Sequence, residues 1–259
     1  MTTSPNEFAF SDFAAALAKA HAAGEPAVDF QEAGAVPSTV PEGMAVQAEV
    51  AQRLGASVAG WKVGAGPERI PDGAPLYTHL VRESGANFPV RKSGLWGVEP
   101  EIGVRLRSDL PPRPDKPYTR EEIAEAVGAV FAGIEIVASR MIDFKAAPYP
   151  VFLADNIGNA GYIVGREVED WRDLDLAQLH ATLTIGGKTV HDAVGGHPYG
   201  DPLAPLLNYA NAPCDSLGGL KVGQIVTTGS LCGLVAVSEP CEAVLVIEGL
   251  SETRVRLTK

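Results

Sequence analysis

Glycines and prolines divide most of the chain into short runs of apolar and β-branched residues, and this punctuation most constrains the fold. From Gly60 onward, turn signals separate runs of strand length. The Gly186-Gly187 pair lies between two of these runs and predicts a tight hairpin. Regularly spaced strands with few helices favour a sheet core that is closed or wrapped. The predicted strands span residues 61–63, 98–106, 134–139, 181–185, 190–191, 224–228, 243–248 and 254–257.

The first part of the chain has helical character instead. Residues 12–23 and 41–54 are alanine-rich and amphipathic, and a glycine follows each segment. Ser11 is placed to cap the first helix. These patterns predict an α+β fold, with an N-terminal helical lobe over residues 1–59 and a β-rich catalytic core over residues 60–259, packed as one compact unit.

Two further helices interrupt the strand-rich region. Thr119 and Glu122 form a T-x-x-E capping box, in which the hydroxyl caps the helix and the carboxylate reaches back to its start. A second helix is predicted from Asp201 to about Asn211, with a proline in its first turn.

The balance of charges limits the possible partners. The 259 residues include 21 Lys and Arg against 32 Asp and Glu, which gives a formal net charge of −11. General binding to nucleic acid or to an anionic membrane needs a basic surface, so neither partner is expected. A small anionic substrate remains compatible, because one local cation can outweigh the global field. With 46% hydrophobic residues, the chain has the composition of a globular protein rather than a disordered one.

The cysteines and the chain start bear on the compartment. Cys214, Cys232 and Cys241 form no CxxC pair and have no histidine at zinc-finger spacing, which favours structural thiols in a reducing compartment. The first residues lack a basic segment followed by an apolar one, so a secretory signal is not expected. No apolar run reaches the roughly 18 residues of a membrane span. We therefore expect a cytoplasmic protein.

The segment VEPEIGVRL at residues 98–106 alternates with the period of a strand. Glu99 and Glu101 therefore share one face, and the aliphatic side chains occupy the other. Two carboxylates about 7 Å apart along a strand repel each other unless a cation lies between them. Glutamates at this spacing are also common on a solvated face, so the pair leaves both metal binding and plain exposure open.

A third glutamate lies inside the apolar run GIEIV. Glu135 stands between two isoleucines, and burying a lone carboxylate costs on the order of several kcal/mol, so it needs a partner. A hard divalent cation with oxygen ligands is a partner common to Glu99, Glu101 and Glu135. Carboxylates without a neighbouring Cys or His favour Mg²⁺ or Mn²⁺ over Zn²⁺.

Lys62 lies in the apolar segment GWKVG, between two glycines. Glycines let a ligand or another backbone approach closely. Lys62 could therefore be a charge partner, a carboxylate clamp or an acid/base group, and the alternative is an edge-strand lysine whose ammonium reaches solvent. Three glutamates, one divalent cation and one lysine are together neutral, so such a site would admit an anionic substrate.

Two aspartate segments have turn character. The PDG sequence at residues 71–73 predicts a turn, and on this basis Asp72 is a turn residue. The pair Asp155-Asn156 also has turn character, and a contact from Asn156 to a substrate is the less favoured alternative.

The segment Thr228, Gly229 and Ser230 follows a β-type run. Exposed backbone N–H groups and hydroxyls at such a position could hold a carboxylate or a phosphate, and an ordinary strand-end turn is an equal alternative. His191 and His197 lie near glycines, and metal binding by them is not favoured.

Eight short motifs occur in order along the chain. They are GWKVG, PDGAPL, VEPEIGVRL, GIEIVASR, ADN, GHP, KVGQIVTTGSL and VIEG. Together they resemble the 2-oxopent-4-enoate (2-hydroxypentadienoate) hydratases and the 4-oxalocrotonate decarboxylases, enzymes of aromatic compound catabolism in the wider fumarylacetoacetate hydrolase superfamily. The resemblance covers roughly residue 45 to the C-terminus, and the ordered set makes it specific.

This resemblance implies a mixed β-roll core with an N-terminal helical lobe. It implies a Mg²⁺ or Mn²⁺ ion on three acidic residues, which correspond to Glu99, Glu101 and Glu135. The family's active-site lysine corresponds to Lys62, and the aspartate of its Pro-Asp segment corresponds to Asp72.

The resemblance also bears on binding and assembly. The turn at residues 228–230 lies where superfamily members approach the substrate, and members are usually homo-oligomers, in some cases associated with a homologous enzyme. The chain departs from the family in three places. The stretch between the lysine and the aspartate is shorter, Ile157-Gly158 stands where hydratases often have a small hydroxyl residue, and the segment GHPYGDPLAPL is longer than usual.

The residue set suits the chemistry of 2-oxo acids. A divalent ion chelated by a 2-oxo carboxylate polarises the C2 carbonyl and stabilises an enolate, which hydration, decarboxylation and C–C cleavage share. We predict a metal-dependent hydratase that adds water to a 2-hydroxy-2,4-dienoate / 2-oxo-4-enoate to give a 4-hydroxy-2-oxo acid. The dienol is ketonised with proton transfer at C5, and water adds at C4 of the conjugated enone. Lys62 would hold the carboxylate or shuttle protons, and Asp72 would orient water or act as base; the sequence leaves these roles open.

Three alternatives to hydration remain open. One is decarboxylation of a 4-oxalocrotonate-like 2-oxo diacid. Another is C–C hydrolysis of a diketo acid, which needs an added base such as a histidine. The third is a partner subunit of an active homologue, although such a subunit has no use for a costly acidic cluster.

Overall fold

A computed structural model describes residues 9–66, 70–89, 96–212 and 217–259, so that Cys214 lies outside the described residues. The helices are α1 Ser11–Ala23, α2 Val40–Leu54, α3 Arg120–Ala126, α4 Tyr149–Ala154 and α5 Ala204–Ala210, with 3₁₀ turns at Thr78–Leu80, Phe144–Ala146 and Asn156–Gly158. The strands are β1 Val58–Ala65, β2 Pro71–Tyr77, β3 Val81–Glu83, β4 Asn87–Pro89, β5 Trp96–Leu106, β6 Val127–Ala138, β7 Asn159–Val164, β8 His180–Ile185, β9 Lys188–Val194, β10 Ile225–Ser230, β11 Val235–Ala236, β12 Glu242–Ile247 and β13 Glu252–Thr258.

Among the described residues, the strands form two mixed sheets. The large sheet has eight strands in the order β2-β1-β10-β5-β6-β7-β3, with β11 also paired to β5. The small sheet has five strands in the order β4-β13-β12-β8-β9. Most neighbours are antiparallel, and the parallel pairs are β1 with β10, β3 with β7, and β4 with β13. The α+β fold class is confirmed, since a few helices accompany curled sheets.

The large sheet curls upon itself and thereby has a concave and a convex face. Strands β2 and β7 lie near opposite ends of the strand order but are in contact. The concave face therefore encloses a small apolar cluster, whose members are Leu76, Phe131, Tyr162, Val164 and Ile225. Lys62 and the three glutamates belong to this same face, because they share the strand parity of the cluster residues.

The convex face carries the main core. Ile102 and Ile134 of the large sheet pack against Leu183, Leu245 and Val255 of the small sheet, and all five are at most 1% exposed. Strands β5 and β6 therefore carry core residues on one face and the three glutamates on the other. The glutamates thus lie on strands that are anchored from behind by fully buried side chains.

The N-terminal helices α1 and α2 pack on each other, and α2 packs on α4. Gly24 and Gly55 end the two helices in the left-handed conformation, as the sequence predicts. The prediction that Ser11 caps α1 is wrong. Phe10 is the N-cap residue, and the Ser11 hydroxyl instead accepts a hydrogen bond from Arg53 at 2.7 Å. The division of the chain into a lobe and a core stays a prediction.

Local turn and cap signals are largely confirmed. Gly186 and Gly187 have φ of 57° and 80° and join the antiparallel strands β8 and β9, as a tight hairpin requires. Both hydrogen bonds of the capping box between Thr119 and Glu122 are present at the start of α3.

Two elements differ from the sequence-based expectation. The PDG sequence at residues 71–73 is not a turn but the start of β2, where Asp72 pairs with Gly64. The hydrogen-bond ladder with β1 outweighs the local turn preference, because pairing satisfies backbone groups that would otherwise be buried without partners. Helix α5 begins at Ala204 rather than at Asp201, whose carboxylate closes the turn that precedes the helix.

No helix within the described ranges is long and apolar enough to cross a membrane.

The two glycines that flank Lys62 on β1 differ in how closely neighbouring atoms approach them. A Cβ on Gly60 would overlap the carbonyl oxygen of Ile225 and lie 2.8 Å from its carbonyl carbon, whereas a Cβ on Gly64 would meet nothing within 4 Å. We expect Gly60→Ala to lower the free energy of unfolding by on the order of 1–3 kcal/mol, because a neighbouring backbone cannot move aside cheaply. The matched control Gly64→Ala should remain within about 1 kcal/mol of wild type. Urea unfolding midpoints measure both, and equal midpoints would contradict the close approach of β1 and β10.

Candidate metal centre

Strands β5 and β6 bring the three predicted glutamates together. Glu99 and Glu101 lie two residues apart on β5, and Glu135 of β6 is directly opposite Glu99 in the antiparallel register. One carboxylate oxygen from each residue lies within 4.8 Å of the others. Like charges at opposed positions of a sheet repel each other. The arrangement therefore needs a nearby cation.

Lys62 supplies part of the positive charge. Strand β1 pairs with β10, and β10 pairs with β5, so that Lys62 projects from the same face as the glutamates. Its Nζ lies 3.0 Å from both carboxylate oxygens of Glu135 and 3.6 Å from Oε2 of Glu99. Only 15% of the lysine side chain is exposed. The ammonium therefore lies among the carboxylates rather than in solvent.

Burial and charge shift the protonation equilibria of this cluster. Burial raises the pKa of Glu135 to about 7; the charge of Glu99 adds to this shift, and Lys62 opposes it. Burial, followed by the charge of Glu135, raises the pKa of Glu101 well above its usual range. Burial lowers the pKa of Lys62, but the three glutamates together raise it above its ordinary value. Each shift indicates that the cluster carries too much negative charge for its environment.

Glu101 has the least satisfied environment of the three. Its side chain is fully buried, and neither carboxylate oxygen has a hydrogen-bond partner of good geometry among the described residues. Buried polar atoms without partners are rare and costly. Three carboxylates and one ammonium leave two negative charges. A divalent ion with oxygen ligands satisfies both conditions, so the residues present fit Mg²⁺ or Mn²⁺.

Two glycines leave room beside the cluster for an aromatic side chain. A Cβ on Gly133 would overlap the hydroxyl of Tyr162, and a Cβ on Gly103 would lie 3.0 Å from the same hydroxyl. Tyr162 therefore reaches from β7 across β6 toward Glu101 on β5. Burial, together with the nearby charge of Glu101, raises the pKa of Tyr162 well above its usual value. The phenol consequently remains protonated next to the glutamate.

Hydrogen bonds from the adjacent strand hold Glu135 in place. Asn159 Nδ2 donates to Glu135 Oε1 at 3.0 Å, and the Asn159 carbonyl accepts from Arg140 at 2.6 Å. Arg140 in turn forms an ion pair with Asp155, and both residues are completely buried. Neither Asn159 nor Arg140 is recognisable as a site residue from the sequence. The one local signal is an arginine at the end of the apolar run GIEIVASR.

Asp72 lies on the same concave face as Lys62. It is fully buried, and Tyr149 Oη donates a hydrogen bond to Asp72 Oδ2 at 2.6 Å. Burial raises the pKa of Asp72, and the Tyr149 hydrogen bond and the charge of Lys62 oppose this shift. Asp72 is therefore a strand residue held by a tyrosine, not a solvated turn residue. Tyr149 is not recognisable from the sequence as a partner of Asp72, because the two residues are 77 positions apart and no local pattern connects them.

The end of β10 lies beside the acidic cluster. Ser230 is opposite Glu101 in the register, and the Thr228 hydroxyl is 3.3 Å from His197 Nε2. Gly229, between them, has a φ of 127°, a conformation that favours glycine. The three residues Thr228, Gly229 and Ser230 thus border the site, and their contact with a substrate stays a prediction.

A cavity of about 150 Å³ opens beside the cluster, with Lys62 and Glu99 at one end. Ile157 and Gly158 line it. The predicted substrate residue Asn156 precedes them and is 1% exposed, but it is not among the lining residues. A contact between Asn156 and a substrate therefore stays a prediction.

The chain is similar in sequence to several curated enzymes. It is 26% identical to a 2-keto-4-pentenoate hydratase of Burkholderia vietnamiensis, over 96% of this chain and 97% of the relative. It is 28% identical to a 2-hydroxyhexa-2,4-dienoate hydratase of Comamonas testosteroni, over 73% and 71% of the two chains. A 4-oxalocrotonate decarboxylase of a Pseudomonas species is 29% identical over 56% of each chain. No family model matches the chain.

Solved structures share the fold. The 4-oxalocrotonate decarboxylase of Pseudomonas putida G7, complexed with magnesium and adipate, superposes with a TM-score of 0.80 at 19% identity, covering 99% of each chain. The fumarylpyruvate hydrolase of Pseudomonas aeruginosa, in complex with Mn²⁺ and pyruvate, has a TM-score of 0.55 at 16% identity, over 75% of this chain and 82% of that one. The expected β-roll fold is therefore confirmed. The resemblance that the ordered motifs indicate is confirmed as well: the chain is a homologue of the 2-keto-4-pentenoate hydratases and the 4-oxalocrotonate decarboxylases.

Proposed function

We propose that the protein is a divalent-metal-dependent hydro-lyase. It adds water to a 2-hydroxy-2,4-dienoate and yields a 4-hydroxy-2-oxo acid. The dienol is ketonised with proton transfer at C5, and water adds at C4 of the conjugated enone that results, with a proton taken up at C3. The observation that carries this proposal is the cluster of Glu99, Glu101 and Glu135 in contact with Lys62 beside a cavity. Similarity to curated hydratases over most of the chain supports the same reaction.

Glu99, Glu101 and Glu135 would hold a Mg²⁺ or Mn²⁺ ion. When bound, the ion supplies a Lewis acid for the carbonyl of a 2-oxo acid. Two features of this chain suit such an ion: the Glu101 oxygens, which have no well-aligned hydrogen-bond partner among the described residues, and the opposed pair of Glu99 and Glu135. Asn159 keeps one oxygen of Glu135 in a fixed direction through its hydrogen bond.

Lys62 serves as the binding group for the substrate's carboxylate. Its ammonium lies among carboxylates, which favour the charged form. A permanently charged group at the polar end of the cavity attracts and orients an anion in spite of the acidic surface of the protein. Backbone N–H groups and hydroxyls at Thr228, Gly229 and Ser230, and the amide of Asn156, would complete the binding of the head group.

Asp72 serves as the group that orients water or takes up a proton. Its carboxylate is buried on the concave face, and Tyr149 holds one of its oxygens through a short hydrogen bond. A carboxyl whose pKa is raised by burial is a better proton acceptor than one in water. Tyr149 is a positioning residue in this scheme.

The second candidate reaction is decarboxylation of a 4-oxalocrotonate-like 2-oxo diacid. Similarity to curated 4-oxalocrotonate decarboxylases over about half of the chain favours it. The same residues would serve both reactions, because both pass through an enolate next to a polarised carbonyl. We further propose that the protein acts on its small organic acid as a homo-oligomer, in some conditions together with a homologous enzyme.

An ultraviolet assay of the purified, Mg²⁺-loaded protein separates these possibilities. We expect loss of the dienol absorbance with 2-hydroxypenta-2,4-dienoate, formation of a 4-hydroxy-2-oxo acid, and no release of carbon dioxide from 4-oxalocrotonate. Carbon dioxide release without dienol loss would assign the decarboxylase reaction instead. Absence of both reactions from the protein assayed by itself would favour a partner subunit that needs an active homologue.

Glu101→Gln tests the ligand set. Changes to groups outside the ligand sphere typically lower metal affinity by about 10–100-fold, so loss of a ligand should lower Mn²⁺ affinity at least as much. The metal-free variant should be as stable as wild type or more stable, because a buried charge next to two others is removed. Calorimetric titration with Mn²⁺ measures the affinity, with the exposed Glu125→Gln as matched control. Wild-type affinity in Glu101→Gln would reject this ligand set.

Asp72→Asn tests the role of the aspartate. The metal affinity should stay unchanged, whereas kcat and kcat/KM should fall together by on the order of 10²–10⁴, since an amide does not take up a proton at neutral pH. Tyr149→Phe should produce a smaller fall in the same direction, because it removes only the hydrogen bond that orients the carboxylate. Unchanged turnover in Asp72→Asn would leave Asp72 with a structural role, and loss of metal would reassign it as a ligand.

A further inference from the structure

We propose that the cavity beside the metal centre is a tail site, which selects substrates with a short, uncharged apolar substituent at C5 and rejects a second carboxylate. This inference rests on the proposed function, because it assumes that the 2-oxo acid head group lies at Lys62 and the glutamates. It assigns a substrate class to the site and identifies the residues that impose it.

The cavity has one charged end, and the rest of its lining is mostly apolar. Lys62 and Glu99, 3.6 Å apart, form the polar end, and the apolar wall residues are Val137, Phe144, Phe152, Ile157 and Leu234. Ser139 also lines the cavity, but its hydroxyl already donates a hydrogen bond to Asp155 Oδ2 at 2.7 Å. The rings of Phe144 and Phe152 are 6.2 Å apart and tilted by 37°, so the two pack as a continuous aromatic surface. A substrate whose head group contacts the polar end would extend its chain along these walls.

No second cation faces the cavity from the described residues. Lys62 is the cation among the lining residues, and it is already in contact with Glu99 and Glu135. Arg140 follows the lining residue Ser139 in the chain, but its side chain is completely buried. Its guanidinium forms an ion pair with Asp155 and donates hydrogen bonds to backbone carbonyls. A second carboxylate in this cavity would lose its hydration against aromatic rings and lie near a glutamate. Such a group is disfavoured both by desolvation and by charge.

The backbone at Ile157 gives independent support for a ligand site. Ile157 has φ 51° and ψ 38°, a left-handed conformation that is unfavourable for a β-branched residue. Asn156 before it and Gly158 after it also have positive φ, of 54° and 70°. Strain of this kind persists where the surroundings hold it in place, and it is concentrated at ligand sites. The strained turn places a rigid branched side chain at the cavity wall, where it narrows the space for a tail.

The volume of the cavity limits the length of the tail. About 150 Å³ is well below the roughly 300–1,000 Å³ of a typical site for drug-sized ligands. Each buried methylene contributes about 0.8 kcal/mol, which corresponds to about a fourfold gain in affinity. We therefore expect affinity to rise with the first few carbons of a chain and then to level off.

Unreactive 2-oxo acids test the tail site on the Mn²⁺-loaded protein. The probes are 2-oxopentanoate, which ends at C5, 2-oxohexanoate and 2-oxoheptanoate, which add one and two carbons beyond C5, and 2-oxoadipate. Isothermal titration calorimetry measures their dissociation constants. We expect about a fourfold gain per added methylene along the alkyl series. We expect 2-oxoadipate to bind at least tenfold more weakly than 2-oxohexanoate, which has the same chain length but a methyl group in place of the second carboxylate.

Two variants at Leu234 test whether the apolar wall causes the preference for an alkyl tail over a second carboxylate. Leu234 is 38% exposed at the cavity, so a longer polar side chain is tolerated there. Leu234→Arg adds a cation to the apolar wall and should narrow or reverse the gap between 2-oxoadipate and 2-oxohexanoate. Leu234→Gln, which is polar but neutral, is the matched control and should keep the gap in its original direction.

The outcomes distinguish the tail site from the proposed function. If no 2-oxo acid binds in a Mn²⁺-dependent manner, the proposed function fails and the tail site with it. If 2-oxopentanoate binds but chain length beyond C5 has no effect, or if 2-oxoadipate binds as tightly as 2-oxohexanoate, the tail site is rejected while the proposed function stands. Equal effects of Leu234→Arg and Leu234→Gln would also reject it.

Discussion

Three carboxylates on neighbouring strands repel one another, and the rest of the site depends on how the protein holds them together. Glu99 and Glu135 are directly opposed in the register, and Glu101 is completely buried beside them. Their strands also carry the core on the convex face, so the cluster cannot relax by letting the sheet open. The negative charge of the three carboxylates must therefore be balanced by cations. Lys62 balances one of the charges, and a divalent ion with oxygen ligands suits the other two.

The room around this cluster depends on residues without side chains. Gly103 and Gly133 lie on the same face as the glutamates, and a Cβ at either position would crowd Tyr162. Their absence of side chains lets the Tyr162 ring cross the sheet toward Glu101. A glycine two residues from a glutamate thus occurs on both β5 and β6. At Gly133 it makes room for the Tyr162 hydroxyl, and at Gly103 it makes room chiefly for the ring of Phe131 and also for that hydroxyl.

The sequence predicts much of the site through local periodicity. The period-two spacing places Glu99 and Glu101 on one face, the apolar neighbours of Glu135 predict its burial, and the flanking glycines mark Lys62 as unusual. Each of these signals lies within a few residues of the side chain concerned. Helices α1, α2, α3 and α5, the Gly186 hairpin and strand β5 were predictable for the same reason, whereas helix α4 and the first half of strand β6 were not predicted.

The features that the sequence does not predict depend on pairing between distant segments. The opposition of Glu99 and Glu135 follows from the register of two strands, and a shift by one residue would place Glu135 on the other face. Asp72 has a local turn signal but forms a strand, because β1 offers it a hydrogen-bond ladder and Tyr149 a partner. Such contacts are set by the assembled sheet, so a local pattern contains no information about them.

The buried ion pair between Arg140 and Asp155 connects the two ends of the candidate site. On one side, Arg140 donates to the carbonyl oxygen of Asn159, whose amide donates to Glu135. On the other side, the Asp155 carbonyl closes the strained turn at Ile157 through a backbone hydrogen bond. A buried ion pair adds little net stability, because desolvation offsets the attraction. The ion pair instead fixes positions: through Asn159 it holds Glu135, a candidate metal ligand, and through the Asp155 carbonyl it holds the turn at Ile157, a wall of the tail site. The head group and the tail of a bound acid would therefore be held at a set separation.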